Sequence, residues 1–323
     1  MMKSIAIVVY EGVEIHDTAG VIEVFELVNR GIREQGGSEP AYDIKLLASE
    51  AGPFATSSGV RMIADAGWHD AGRDIDTLVV IGSPDEHLNR ALTDRKLIEW
   101  LKTSAPKVRR LVSVCTGVFL LAEAGLLDGR RVTTHWMDVE RLRREYPGLT
   151  VEPDAIYVRD GQVATSAGIS TGIDLMLALV EEDCGRKVAL SIARRMVLYL
   201  KRPGGQTQFS IQLRAQMAVE GPLARLLTWL EENAHLKLSI EDMAEKAAMS
   251  PRNFARIFLK ETGKTPLKYL DQIRLERAIR LLEDTACPME MVATGSGFSS
   301  AEQLRRVFRL RMGITPIEYR ERF

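Results

Sequence analysis

At 323 residues, 46% hydrophobic and 27% charged, with a formal net charge of −1, the chain has an ordinary globular composition with room for two or three domains. No run approaches the roughly 20 apolar residues of a membrane span, and Met1-Met2-Lys3-Ser4 enters a strand pattern directly rather than a secretory leader, so a cytoplasmic protein with no membrane partner is expected. Cys115, Cys184 and Cys287 are too widely spaced for a disulfide framework or a zinc site, and neither a metal nor a cofactor is expected.

The first two hundred residues alternate strand and helix patterns. Apolar runs at 5–10, 77–81 and 110–114 and the alternation at 42–48 predict strands, while 20–29, 88–104, 118–124, 175–182 and 186–200 have helical spacing. Residues 52–59 read as a Gly/Pro/Ser-rich connection. This order predicts a doubly wound α/β domain with a mainly parallel sheet, which binds ligands at the carboxyl ends of its strands. There the run Val114-Cys115-Thr116-Gly117 places a small side chain between a buried strand and a helix, the setting of a nucleophile elbow. A helix N-terminus at that point is expected to lower the thiol pKa. Pro203-Gly204-Gly205 ends the last helix, so the domain is placed at 1–202 and a polar, flexible linker at 203–222.

Residues 223–323 carry 17 basic and 14 acidic residues, too small a surplus to mark nucleic-acid binding by itself. They also contain a repeat. The stretch 250–269 recurs at 300–319 with Arg256/Arg306, Phe258/Phe308, Thr265/Thr315, Pro266/Pro316 and Tyr269/Tyr319 in register. A shorter helix precedes each copy. The first starts on a capping box of Ser239 and Asp242, and the second has Pro288 at its first helical position. The turns are Ala248-Met249-Ser250 and Gly295-Ser296-Gly297-Phe298, which gives helix-turn-helix units at about 239–262 and 288–312. In the second helices, N-capped by Ser250 and by Ser299 with Glu302, the inward positions are Phe254, Ile257 and Phe258, and Leu304, Val307 and Phe308. That leaves Arg252, Asn253, Ala255, Arg256 and Lys260 outward in one helix, and Ala301, Glu302, Arg305, Arg306 and Arg309 in the other, mostly types that reach bases and phosphates. The intervening helix at 266–283 spans roughly 27 Å, compatible with presenting both to successive major grooves of double-stranded DNA.

Two resemblances extend this reading. Gly297-Phe298-Ser299-Ser300, the Arg306-x-Phe308 pair and Gly313-Ile-Thr-Pro316-x-x-Tyr319-Arg320 are similar, in order, to the DNA-binding domain of the AraC/XylS family. The resemblance implies base-reading roles for Arg252, Ala255 and Arg256, and for Ala301, Glu302, Arg305 and Arg306. Asp17-Thr-Ala-Gly20-x-x-Glu-Val-Phe25, Val114 to Gly117, Val132-Thr-Thr-His135-Trp136 and Gly168-Ile-Ser-Thr-Gly-Ile-Asp174 resemble the DJ-1/PfpI superfamily, relatives of the class I glutamine amidotransferases, over 3–185. That resemblance implies a flavodoxin-like fold, Cys115 as nucleophile with Asp17 beside it and His135 as third member, and anion-binding backbone N–H groups near Gly82 and Thr116. The chain departs from the family's protease-like members, which carry histidine where Thr116 stands. Together the halves resemble GlxA-type regulators. This implies a homodimeric, ligand-responsive activator of a catabolic operon that senses a small metabolite, for example a nitrogen-containing one, at Asp17, Gly82, Cys115, Thr116 and His135 and contacts RNA polymerase. The alternative is a cysteine hydratase or amidase of isonitrile-hydratase type with an autoregulatory DNA-binding domain.

Overall fold

The structure is a computed structural model and describes residues 2–70, 74–168, 170–198, 200, 222–262, 264–312 and 315–322. It consists of two compact units, Met1–Gln206 and Thr207–Phe323. Among the described residues no helix is long and apolar enough to cross a membrane.

In the first unit, β1 (Lys3–Val8), α1 (Ile15–Glu34), β2 (Tyr42–Ala48), β3 (Gly52–Ala55), β4 (Arg61–Ala64), β5 (Ala66–Gly67) and β6 (Thr77–Val80) are followed by α2 (Asp85–Thr93), α3 (Arg95–Ser104), β7 (Arg110–Val114) and α4 (Gly117–Glu123). Then come β8 (Arg131–Val132), α5 (Val139–Glu145), β9 (Thr150–Val151), β10 (Tyr157–Asp160), β11 (Val163–Ser166), α6 (Ser170–Cys184) and α7 (Arg186–Arg195). Seven strands form one sheet in the order β10-β11-β7-β6-β1-β2-β5, parallel except for the β10–β11 pair. The apolar runs of β1, β6 and β7 are its interior strands, buried on both faces because α1, α6 and α7 pack together as one group and α2, α3 and α4 as another. The doubly wound, flavodoxin-like fold expected from the alternation is therefore present.

The structure departs from the pattern in several places. The supposed connection at 52–59 contains β3, paired antiparallel with β4 around a turn where Gly59 has φ +80° and the Thr56 hydroxyl donates to Val60 O at 2.8 Å. The single helix expected at 88–104 is two, because the Asp94 carboxylate accepts from Lys96 N at 3.0 Å and Leu97 N at 3.3 Å and caps a new start. The helix expected at 186–200 stops at Arg195, since Val197 takes φ +57°. The helix expected at 20–29 extends to Ile15–Glu34.

Among its described residues the second unit has helices and no strand: α8 (Pro222–Asn233), α9 (Ile240–Lys246), α10 (Pro251–Thr262), α11 (Pro266–Asp284), α12 (Met289–Ser296), α13 (Ala301–Met312) and α14 (Pro316–Arg322). The linker placed at 203–222 lies outside the described residues except for Pro222, the first residue of α8. There are two apolar cores, one around Phe254 and Phe258 and the other around Leu304 and Phe308, and α11 supplies side chains to both. The repeat is visible in its aromatic pairs: Phe258 meets Tyr269 at 5.3 Å and 79°, and Phe308 meets Tyr319 at 5.4 Å and 71°. Ser239 and Asp242 form the expected capping box of α9. The caps of the second helix-turn-helix differ from expectation. Pro288 is the N-cap and not the first helical residue of α12, which runs through Gly295 and Ser296 so that the turn begins at Gly297. Helix α13 is capped by Ser300, whose hydroxyl accepts from Gln303 N at 3.1 Å, while Gln303 Oε1 takes Ser299 N at 2.7 Å. Ser299 and Glu302 are thus one residue too early, because glutamine can close the cap as well as glutamate.

Candidate ligand site and nucleic-acid interface

Cys115 stands at the carboxyl end of β7 with φ +58°, one of three non-glycine residues with positive φ among those described. Its backbone is over-determined. Cys115 N donates to Ser166 O at 3.1 Å, the Thr134 hydroxyl donates to Cys115 O at 3.2 Å, and the Thr116 hydroxyl bridges to Ser83, donating to Ser83 O at 2.8 Å and accepting from Ser83 N at 2.9 Å. A strained turn of this kind persists only under such constraint.

Three glycines make the close approach possible. A Cβ on Gly117 would lie 2.3 Å from Val80 O, one on Gly82 would lie 2.7 Å from Thr116 N, and one on Gly168 would lie 2.5 Å from Cys115 Sγ. Gly82 and Gly168 therefore wall the thiol on two sides, and Cys115 is 8% exposed. Asp17, in the first turn of α1, is 2% exposed and close enough for its charge to act on the thiol.

The expected depression of the thiol pKa is not found. Burial pushes Cys115 up, and the negative charges of Asp17, Asp138 and Glu14 push it further, against which the Thr116 backbone N–H is the opposing hydrogen bond. Desolvation joined to three carboxylates outweighs that one hydrogen bond, so the thiol is protonated at neutral pH.

His135 lies apart from this cluster's chemistry. Its ring packs beside Trp136 at 5.6 Å, its Nδ1 is 3.8 Å from Asp138 Oδ2, and burial lowers its pKa. Asp138, not His135, is the member of that loop whose charge reaches Cys115. Sequence reading missed Glu14, Asp138, Tyr10 and Ser83. The Tyr10 hydroxyl donates to Ile81 O at 3.1 Å and shares a 3.1 Å hydrogen bond with Ser83 Oγ, and burial raises its pKa. Glu14 and Asp138 each lie three residues from a residue that was singled out, but only the fold brings them to one thiol. Tyr10 also lines a cleft of about 470 Å³ at the carboxyl ends of β1 and β2, with Phe54, Trp68, His87, Glu11 and Glu50.

In the helical unit Arg252, Asn253, Arg256 and Lys260 on α10, and Glu302, Arg305, Arg306 and Arg309 on α13, are exposed as expected. Ala255 and Ala301 are only half-exposed, and Ala301 packs against the second core instead of standing outward. Arg256 Nη2 donates to Asn253 Oδ1 at 2.9 Å, which holds the guanidinium over the outer face of α10. Ser299, Ser300, Gln303, Arg305, Arg306 and Arg309 border a groove of about 600 Å³ along α13.

Comparison with known proteins separates the same two parts. Residues 3–182 match the DJ-1/PfpI family and residues 243–322 match a helix-turn-helix domain. The HTH-type transcriptional regulator CdhR of Pseudomonas aeruginosa is 30% identical over 280 residues, 86% of this chain and 82% of its own length. The HTH-type transcriptional regulator GlxA of Rhizobium meliloti is 30% identical over 292 residues, 88% of this chain and 86% of its own. The isonitrile hydratase of Pseudomonas putida is 29% identical over 210 residues, 63% of this chain and 88% of its own.

Proposed function

The chain belongs to the DJ-1/PfpI family and carries an AraC-type helix-turn-helix domain, and we propose that it is a DNA-binding transcription regulator governed by a small metabolite held in its α/β unit. The observation that carries the reading is the duplicated helix-turn-helix with arginines exposed on the second helix of each copy, Arg252 and Arg256 on α10 and Arg305, Arg306 and Arg309 on α13. We take the functional boundaries to be 1–202, 203–222 and 223–323, the site of action to be cytoplasmic, and the working form to be a homodimer that activates a catabolic operon through RNA polymerase.

The effector site is assigned to the carboxyl edge of the sheet, where Asp17, Gly82, Cys115 and Thr116 adjoin Tyr10 and His135 stands on a neighbouring loop. A protonated, walled thiol supports a role for Cys115 as part of a ligand site rather than as a nucleophile. The hydratase reading is the less supported one, since the relatives named as regulators span more of this chain than the hydratase does.

The experiment is selection of duplexes by the full chain from a random pool, followed by titration over a range of salt. Bound sequences should converge, and affinity should fall linearly on a log-log plot against salt. Failure to enrich any sequence would remove the sequence-specific regulator. Conversion of an isonitrile or small amide that disappears in Cys115→Ser would establish the hydratase instead.

A further inference from the structure

The two cores of the helical unit change over at one residue of α11. Tyr269, Leu270 and Ile273 belong to the first core, Leu275, Ala278 and Ile279 belong to the second, and Arg274 stands between them. Its side chain reaches the segment that follows α8. Arg274 Nε donates to Ala234 O at 2.8 Å, and Nη2 donates to Leu236 O at 2.8 Å.

The turn of the second helix-turn-helix presses on the same carbonyl. Gly297, at φ +93°, comes so close that an added Cβ would lie 2.3 Å from Ala234 O and 2.8 Å from Arg274 Nε. Three residues along α11, Arg277 Nε donates to Gly295 O at 2.7 Å, in the last turn of α12. The end of α8, the linking helix α11 and the turn of the second helix-turn-helix thus converge at Ala234 O.

Apolar packing alone would leave the relative placement of the two helix-turn-helix copies soft. The two cores are joined through α11, which contributes to both, and hydrophobic contact is not directional. A planar guanidinium with two fixed carbonyl acceptors is directional. Burial lowers the Arg274 pKa, which fits a cation drawn partly out of water to hold these two carbonyls.

Resting on the DNA-binding reading above, we propose that the junction of Arg274, Ala234 and Gly297 sets the angle between α10 and α13, so that Arg274 determines which separation of two DNA subsites the chain accepts. Arg274 acts as a positioning residue and touches no DNA. Specificity for spacing therefore originates away from the reading helices.

The test uses the full chain and the duplexes it selects, resynthesised with one base pair added or removed between the subsites, which turns one subsite by about 35° relative to the other. The unaltered chain should prefer its selected spacing. Arg274→Lys, which keeps the charge but not the planar fork, should fall between Arg274→Ala and the unaltered chain; Arg274→Ala should bind that spacing about tenfold more weakly, while losing little at the altered spacings. Equal loss at every spacing, or an unchanged preference, overturns the proposal.

A second arm needs no DNA. Nitroxides at Leu259→Cys and Leu310→Cys, both exposed positions, report the distance between the reading helices in a background where Cys115, Cys184 and Cys287 are serine. The distance distribution should be narrow and should broaden on Arg274→Ala and, less, on Arg274→Lys. An unchanged width overturns the junction. If no duplex is selected, the DNA-binding reading fails, and this arm still decides the junction.

Discussion

In the α/β unit the residues that carry chemistry are buried, Asp17 at 2% and Cys115 at 8% exposure, whereas Arg252, Arg256, Arg305, Arg306 and Arg309 of the helical unit stand in solvent. The two regions are therefore governed by different physics. A buried group takes its ionisation and orientation from its neighbours, so a single added atom near it is felt throughout the unit. An exposed cation keeps its intrinsic chemistry and acts only through what it meets, so its removal should be nearly silent until a partner is added.

The strongest way to break this contrast is Gly168→Ala. The new Cβ would lie 2.5 Å from Cys115 Sγ and 2.7 Å from its Cβ, at a backbone φ of +104° that alanine resists. Overpacking and backbone strain together should lower stability by about 3 kcal/mol or more in urea denaturation. Adding Cys115→Gly removes both clashing atoms and suits φ +58°, so the double variant should recover at least about 1 kcal/mol relative to the sum of the singles. Strict additivity would mean that the thiol is not held by that wall.

On the exposed side, Arg256→Ala and Arg306→Ala should each weaken binding of a selected duplex by about 1–3 kcal/mol with relaxed specificity at one base pair if they read bases. If they touch only phosphates, the loss should be uniform across sequences and the salt slope shallower by about one. In both cases thermal unfolding without DNA should hardly move. A substantial drop in Tm would place these arginines in the fold and erase the contrast.

How much of each region could be read from the chain follows the same division. The reading helices were legible because exposure follows a 3.6-residue period, and Phe254, Phe258, Leu304 and Phe308 mark the inward side of each. The turn holding Cys115 was legible too, from an apolar strand, a small residue and Gly117. Its ionisation was not. Glu14 and Asp17 at the start of α1 and Asp138 just before α5 act on the thiol from distant segments of the chain, and no spacing in the sequence reports their convergence. Helix caps fell between these cases, because Asp94 and Ser300 act locally but compete with neighbouring residues able to do the same.

The buried thiol gives the α/β unit a pH signature absent from the arginine surface. Above about pH 8.5 the unfolded chain gives up this proton while the folded chain retains it, so the folded state binds more protons and stability falls as pH rises. The slope is about 1.4 kcal/mol per pH unit, or roughly 2 kcal/mol between pH 8.5 and the onset of tyrosine ionisation near pH 10. Below pH 8.5 the contribution is fully present. Urea denaturation across this window should show the decline, and Cys115→Ser should remove that part of it. An identical pH dependence in the variant would mean that Cys115 ionises as freely folded as unfolded.

The smallest effect sharpens the comparison inside the helical unit, where two turns share one backbone but not one environment. Ala248 N donates to Glu245 O at 2.9 Å and Met249 N to Ala244 O at 2.9 Å, and in the second turn Gly297 N donates to Thr294 O at 3.1 Å and Phe298 N to Ala293 O at 2.9 Å. Both are left-handed helix ends of the same type, with φ +54° at Ala248 and +93° at Gly297. Alanine is strained there by about 1–2 kcal/mol, partly offset because glycine loses more freedom on folding. Ala248→Gly, at an exposed position, should therefore raise stability by roughly 0.5–1 kcal/mol, read as a small rise in Tm. The reverse change, Gly297→Ala, meets Ala234 O at 2.3 Å as well as the φ penalty and should cost considerably more. If the two substitutions proved equal and opposite, the turns would differ only in backbone strain, and the contact of Gly297 with the junction at Arg274 would contribute nothing to stability.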